Sequence, residues 1–151
     1  VFALLAGCVD PQKGAENLKK SMEDPETYAQ CSVAMAYYLY RALEKAGMYA
    51  ETEKCWDLWK KMVKDNLTTC VEDGVNGRSD CHAWGSLILF ELPAVVLGVH
   101  PAAPGYEKIA VEPNPGYLEW AKGEVITKKG MVKVSWKKTE SGVDVAYELP
   151  Q

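Results

Sequence analysis

Hydrophobic positions recur at helical spacing over the first two-thirds of the chain and alternate with polar ones over the last third. Residues 1–7 read as the end of a helix, closed by Gly7 and Pro11. Residues 15–22 predict a short helix with Leu18 and Met22 one turn apart. Asp24-Pro25-Glu26 is a start signal: a capping acid, a proline in the first turn, and an acid near the positive end of the dipole. The helix it predicts, residues 28–46, carries Val33, Met35, Ala36, Tyr37, Leu39, Tyr40 and Leu43 over a wide arc. It should therefore be well buried, and Gly47 should end it. Residues 51–65 predict a second amphipathic helix. Cys55, Trp56, Leu58, Trp59, Met62 and Val63 face inward, and Lys54, Lys60, Lys61 and Lys64 face water. The short link at Gly47 makes these two helices an antiparallel hairpin. Residues 82–97 are again helical in pattern, with Pro93 expected to kink or split the helix before Gly98 closes it.

The pattern changes at His100-Pro101, where prolines 101, 104, 113 and 115 exclude a helix. Beyond them the period falls to two. Residues 108–112, 124–128, 132–137 and 143–148 predict strands, with turns at Lys129-Gly130 and Ser141-Gly142. Val132, Val134 and Trp136 fall on one face, so this is an antiparallel unit with one buried and one wet face. The fold class is α+β, with a helical region over residues 1–98 and a small β-sandwich-like domain over residues 99–151.

With 151 residues, 48% of them hydrophobic, the chain can bury a real core. Its net charge is −4 and it has no basic run, which argues against a nucleic-acid groove. Glu91, Pro93 and glycines interrupt the longest apolar runs, so no bilayer-spanning segment is expected. The chain opens in the middle of an apolar pattern with no charged leader, which reads as part of something longer. Five cysteines lie at irregular spacing without a CxxC pair. Cys70, Cys81 and His82 make at most a forced metal site. The thiols read instead as buried small apolar residues in a reducing compartment, with no metal and no cofactor implied.

The chemistry concentrates in residues 66–84, NLTTCVEDGVNGRSDCHAW. Glu72 sits in a loop of small and polar residues, and Ser79-Asp80-Cys81-His82 opens the following helix, with Trp84 close behind. A carboxylate moves protons, a histidine hydrogen-bonds hydroxyls and an indole packs against a pyranose face. The competing reading is plain: Glu72 as a solvated loop acid, Asp80 as a helix cap and Trp84 as a core aromatic.

The order of motifs resembles bacterial α-L-rhamnosidases, the family 78 glycoside hydrolases. The resemblance rests on Thr68-Thr69-Cys70-Val71-Glu72, Arg78-Ser79-Asp80-Cys81-His82-Ala83-Trp84-Gly85-Ser86, Glu91-Leu92 and Val96-Leu97-Gly98-Val99-His100-Pro101. It continues through Pro104-Gly105-Tyr106, Val111-Glu112-Pro113-Asn114-Pro115-Gly116, Leu118 and Trp120-Ala121-Lys122-Gly123. It implies the last helical hairpins of an (α/α)6 toroid followed by the C-terminal β-domain. It also implies an inverting hydrolysis of terminal rhamnosides. The family's TTxxE base falls on Glu72 and its CHAW histidine on His82, with Trp84 as a supporting residue of the sugar subsite. Where this chain has Cys70 and Val71, many relatives carry a larger residue, which affects loop packing and not the carboxylate. An inverting pair needs a second carboxyl about 6.5–9.5 Å from the base. By the resemblance that acid lies in an earlier loop outside this chain, so the chain alone should be inactive. The implied partner is a rhamnose-containing carbohydrate, and the implied setting is the bacterial cytoplasm or periplasm, the cytoplasm being favoured. A truncated toroid should also self-associate, or repack to hide Tyr37, Tyr38 and Tyr40.

Two other function classes compete. One is a non-catalytic carbohydrate-binding or bracing module. Binding would need an aromatic platform on the β unit, where Trp120 and Trp136 are the only tryptophans, and Trp136 should face the core, which favours bracing over binding. The other is a helical interaction protein, which leaves the ordered motif of residues 68–84 unexplained.

Overall fold

The computed structural model describes residues 1–73 and 79–150. The chain is α+β and forms two compact units, Val1–Leu87 and Ile88–Gln151.

The first unit is helical. Helix α1 spans Phe2–Leu5 and α2 spans Pro11–Glu23. The start of α2 lies four residues before the expected one. Asp10 caps it, its carboxylate accepting from the backbone N–H groups of Gln12 at 2.8 Å and Lys13 at 3.3 Å, and Pro11 occupies the first turn. The Asp24 signal, by contrast, makes only one turn. Its carboxylate accepts from Thr27 N–H, and its carbonyl accepts from Tyr28 N–H. Gln30 then stops the propagation. Its side-chain amide donates to Ser21 O at 2.9 Å and to Tyr28 O at 2.8 Å, so a side chain occupies the Tyr28 carbonyl that a growing helix would use. Helix α3 accordingly spans only Ala36–Lys45, after a 3-10 turn at Val33–Met35. Met48 N–H closes α3 onto Leu43 O at 2.7 Å, with Gly47 at the stop as expected.

The expected helix over residues 51–65 divides at Trp56 into a 3-10 segment, Tyr49–Cys55, and helix α4, Asp57–Lys64. Buried Thr52 donates its hydroxyl to Tyr49 O at 2.7 Å within the 3-10 segment. Trp56, Trp59 and Met62 are buried at i, i+3, i+6, while Val63, one step further round α4, is 76% exposed and not inward as expected. The core comprises Leu4, Leu18, Ala42 and Leu43. Beside it runs a chain of edge-on aromatic contacts, Tyr40–Trp56 at 5.4 Å and Trp56–Trp59 at 5.7 Å. Tyr40 is fully buried, whereas Tyr37 and Tyr38 keep about two-fifths of their surface in solvent (42% and 40%).

None of the five cysteines is buried, contrary to expectation. Cys8, Cys31 and Cys81 are exposed and Cys55 and Cys70 are half-buried. Cys8, Cys31 and Cys81 lie in connections between helices, where the chain runs over the surface.

The second unit opens with one α-helical turn, Ile88–Phe90, that widens into a π-helical segment, Glu91–Val96. Pro93 explains the widening. It has no N–H to donate, and its ring would crowd the carbonyl four residues back in an α-helix. Leu97 N–H bonds back five residues to Leu92 O at 2.8 Å. Strands β1 (Val99–Pro101) and β2 (Ile109–Val111) pair antiparallel, with Val99 opposite Val111. The prolines hid β1 from the sequence pattern. Strands β3 (Trp120–Thr127), β4 (Gly130–Thr139) and β5 (Gly142–Glu148) form a second antiparallel sheet with β4 central. The closing pairs Thr127–Gly130 and Thr139–Gly142 put the two-residue turns at 128–129 and 140–141, one position before the predicted ones.

Val132, Val134 and Trp136 from β4 join Val96, Leu97 and Val99 in the core, and Trp136 donates its indole N–H to Val96 O at 2.8 Å. Trp136 thus faces inward as expected. The expected burial of one face of β5 does not occur: every residue in it is exposed, whereas β3, the other edge of the same sheet, keeps a half-buried face. Gly98 enables the close crossing beneath this core. Its φ is +75°, and a Cβ there would lie 2.2 Å from the carbonyl carbon of Glu112 and from Pro113 N.

Candidate active site

Residues 69–72 and 79–82 run as two arms of one loop and are tied to each other by the backbone. His82 N–H donates to Cys70 O at 2.7 Å, and Glu72 N–H donates to Ser79 O at 3.0 Å. The Thr69 hydroxyl also donates to Asp80 O. These bonds pin the backbone on either side of residues 74–78, which lie outside the described structure and include the motif residue Arg78. Glu72 and His82 are thereby held on facing arms, and both are half-buried.

The platform beneath the arms comes from α4. Buried Trp59 donates its indole N–H to Gly85 O at 2.7 Å. Gly85 in turn sits against the first arm: a Cβ there would lie 2.9 Å from Cys70 Cβ and 2.9 Å from Val71 O. Only a residue without a side chain lets the 3-10 segment Ala83–Leu87 approach this closely. Val71 is buried, so the apolar residue between Cys70 and Glu72 anchors the first arm.

His82 and Trp84 meet edge to face, with ring centroids 5.3 Å apart and planes at 60°. Trp84 is 64% exposed, so it is no core aromatic. The His82 ring nitrogen Nε2 is shielded from solvent and has no hydrogen-bond partner among the described residues. A buried polar atom without a partner is uncommon in a folded chain and marks His82 as a residue to test. Asp80 is exposed, and its carbonyl takes the Thr69 bond. Among residues 69–73 and 79–84 the charged side chains are Glu72, Asp73 and Asp80, with no lysine or arginine. Among the described residues, Cys70, Cys81 and His82 are not gathered with other ligands into a group that could hold a metal ion.

Sequence reasoning did not find the groups that support this loop. It placed Trp59 in a helical core stripe without asking where its N–H goes, and a buried indole usually requires an acceptor. Gly85 gave no signal of its own.

Comparison with known proteins bears on the C-terminal part first. Residues 98–151 match the family model of the bacterial alpha-L-rhamnosidase C-terminal domain. An alpha-L-rhamnosidase of Alteromonas sp. (strain LOR) is 28% identical over 100 residues, which is 63% of this chain and 10% of that protein. The chain thus spans about a tenth of the length of this curated relative. The two matches together relate the chain to a C-terminal part of a bacterial rhamnosidase. No helix among the described residues is long and apolar enough to cross a membrane.

Proposed function

We infer that this chain is part of a glycoside hydrolase that removes terminal α-L-rhamnose with inversion, and that Glu72 is the base that activates water. The observation that carries the reading is the tied loop. It puts Glu72 and His82 on its two arms, with Ser79 across from Glu72 and Cys70 across from His82, leaves the His82 Nε2 without a partner among the described residues, and sets the exposed Trp84 edge-on beside that ring. The rhamnosidase relationship supplies the reaction class.

In this reading Glu72 takes a proton from water as the oxygen attacks the anomeric carbon. A carboxylic acid on the other face gives its proton to the leaving oxygen. His82 hydrogen-bonds a ring hydroxyl through Nε2, and Trp84 packs against the apolar face of the sugar. The helices of the first unit close an (α/α)6 toroid whose other hairpins, with the acid, belong to the rest of the enzyme. The carbohydrate is the only partner proposed for this site, with neither nucleic acid nor membrane involved.

Two variants of the full-length enzyme test the assignment on an aryl α-L-rhamnoside. Glu72→Gln should lower kcat by about 10²–10⁴-fold with little change in KM, because the base acts on the transition state. His82→Ala should raise KM as well. Near-normal kcat in Glu72→Gln would remove Glu72 from the mechanism, and an unchanged KM in His82→Ala would leave that residue a structural one. The 151-residue chain alone should show no turnover; turnover that Glu72→Gln abolishes would mean that both carboxyls are present in it.

A further inference from the structure

We propose that the solvent face of the β3–β4–β5 sheet carries a second sugar-binding site, a subsite for a neutral pyranose built on Trp120. This goes beyond the Glu72 loop and does not rest on it, since every residue involved lies in the second unit.

The strand register sets the geometry. Cross-strand partners share a face, so Trp120, Lys137 and Asp144 form one row on the solvent side and Lys122, Ser135 and Ala146 form the next. A third row, Glu124, Lys133 and Glu148, ends the surface with an ion pair between Lys133 and Glu148 at 3.0 Å. The middle row has two short side chains, Ser135 and Ala146, next to an indole, and the outcome is a shallow depression of about 340 Å³. Its floor is Ser135 and Ala146, and its rim carries Trp120, Lys122, Lys137 and Asp144.

Trp120 is 67% exposed, whereas Trp136, one position away in the register on the other face, is buried in the core. A large exposed indole at a sheet surface has lost the burial that normally stabilises it, and its flat π face is free to take the C–H face of a sugar ring. The rim matches the hydroxyl edge. Lys122 and Lys137 offer donors, Asp144 offers acceptors and Ser135 offers both. The side chains of Lys122, Lys137 and Asp144 make no ion pair or hydrogen bond among the described residues, unlike Lys133 and Glu148 in the next row. Donors and acceptors alternate round the rim, which suits a polyhydroxyl ligand, since each sugar hydroxyl both donates and accepts. A flat apolar patch ringed by a few convergent polar groups is the pattern of a small-ligand site.

The test uses the whole 151-residue chain, uniformly ¹⁵N-labelled, titrated with L-rhamnose and separately with D-glucose while amide and indole N–H resonances are followed. Saturable shifts are expected for the Trp120 indole and for residues 120–122, 135–137 and 144–146 with at least one of the two sugars. Trp120→Ala should weaken binding at least about tenfold, and Ala146→Leu, which fills the floor, should do the same while leaving the Trp120 indole in place. Trp120 is exposed, so its removal should leave the core, reported by the Trp136 indole resonance, unchanged. The proposal is overturned if no saturable shift occurs there with either sugar up to about tens of millimolar, a range that would fill a millimolar site. It is equally overturned if the shifts survive Trp120→Ala. Shifts that grow with protein concentration without sugar would assign the face to a second copy of the chain and also overturn it.

Discussion

Replacing Gly98 with alanine should unfold much of the second unit, and the cost can be worked from two separate terms. The first is conformational. Gly98 has φ of +75°, a region where an L-residue costs about 1–3 kcal/mol. The second is steric. The new methyl would lie 2.2 Å from the Glu112 carbonyl carbon and from Pro113 N, against an optimum near about 3.5 Å for such atoms. Both partners are backbone, so no rotamer change can relieve the contact. The chain at 112–113 must move by over about 1 Å, a strain worth about 1–3 kcal/mol. That movement also threatens the Glu112 N–H bond to Gly98 O, 2.9 Å in the native chain and worth about 1 kcal/mol.

The sum, about 3–7 kcal/mol, is comparable with the total stability of a small domain. Gly105 provides an internal control in the same unit. Its φ is +67°, almost the same, but a methyl there meets nothing within 4 Å. Gly105→Ala should therefore cost only the conformational term, about 1–3 kcal/mol. Urea unfolding of the two variants, followed by near-UV circular dichroism from Trp136, measures the difference. A gap of at least about 2 kcal/mol is expected from the clash and the lost bond. If the two variants were equal within about 0.5 kcal/mol, the close backbone crossing at Gly98 would be wrong.

Further expectations follow from other sites. Trp59→Phe removes the donor to Gly85 O, and leaving that buried carbonyl unsatisfied should cost about 1–3 kcal/mol in thermal unfolding of the first unit; a loss under about 0.5 kcal/mol would deny the link between α4 and the candidate loop. Burial pushes the Cys55 thiol up to about 11 from 9.0, so it should alkylate with iodoacetamide at pH 8 far more slowly than exposed Cys8 and Cys81, as read by peptide mass spectrometry. The folded pKa is the higher one, so the fold is insensitive to this thiol below pH about 9 and loses stability as pH rises from about 9 through about 11. Cys55→Ser should flatten that alkaline loss, and an unchanged slope would exclude Cys55 as its source. Phe2, Tyr37 and Tyr38 leave an exposed aromatic cluster, with Phe2–Tyr38 at 5.2 Å and Tyr37–Tyr38 at 5.4 Å, and the isolated chain should self-associate through it. Sedimentation velocity should show Tyr38→Lys shifting dimer to monomer; a wild-type chain that stays monomeric across concentration would reject this face.

What the chain alone determined was the period of each region and the chemistry placed within it. The alternation Val132, Val134, Trp136 is a property of neighbours two apart, so the inward face of β4 could be read directly. The two turns before Gly130 and Gly142 could be read for the same local reason. The grouping of Glu72, His82 and Trp84 in one stretch was visible as well, because the three lie close in sequence. What tertiary structure decided was everything set by competition between distant groups. Asp24-Pro25 is a sound helix start, yet Gln30 captures the carbonyls at Ser21 and Tyr28 and the helix waits until Ala36. The period put Val63 on the inner stripe with Trp59 and Met62, but the covered stripe of α4 ends at Met62 and Val63, one step further round, stays in water. β5 alternates as well as β4 does, yet no element covers either of its faces, since alternation tells which residues share a face and not what lies across from them. The same limit holds at the candidate site. The residues were legible, but the bonds that hold them, Trp59 to Gly85 and one arm to the other, join groups up to 26 positions apart, and only folding brings those together.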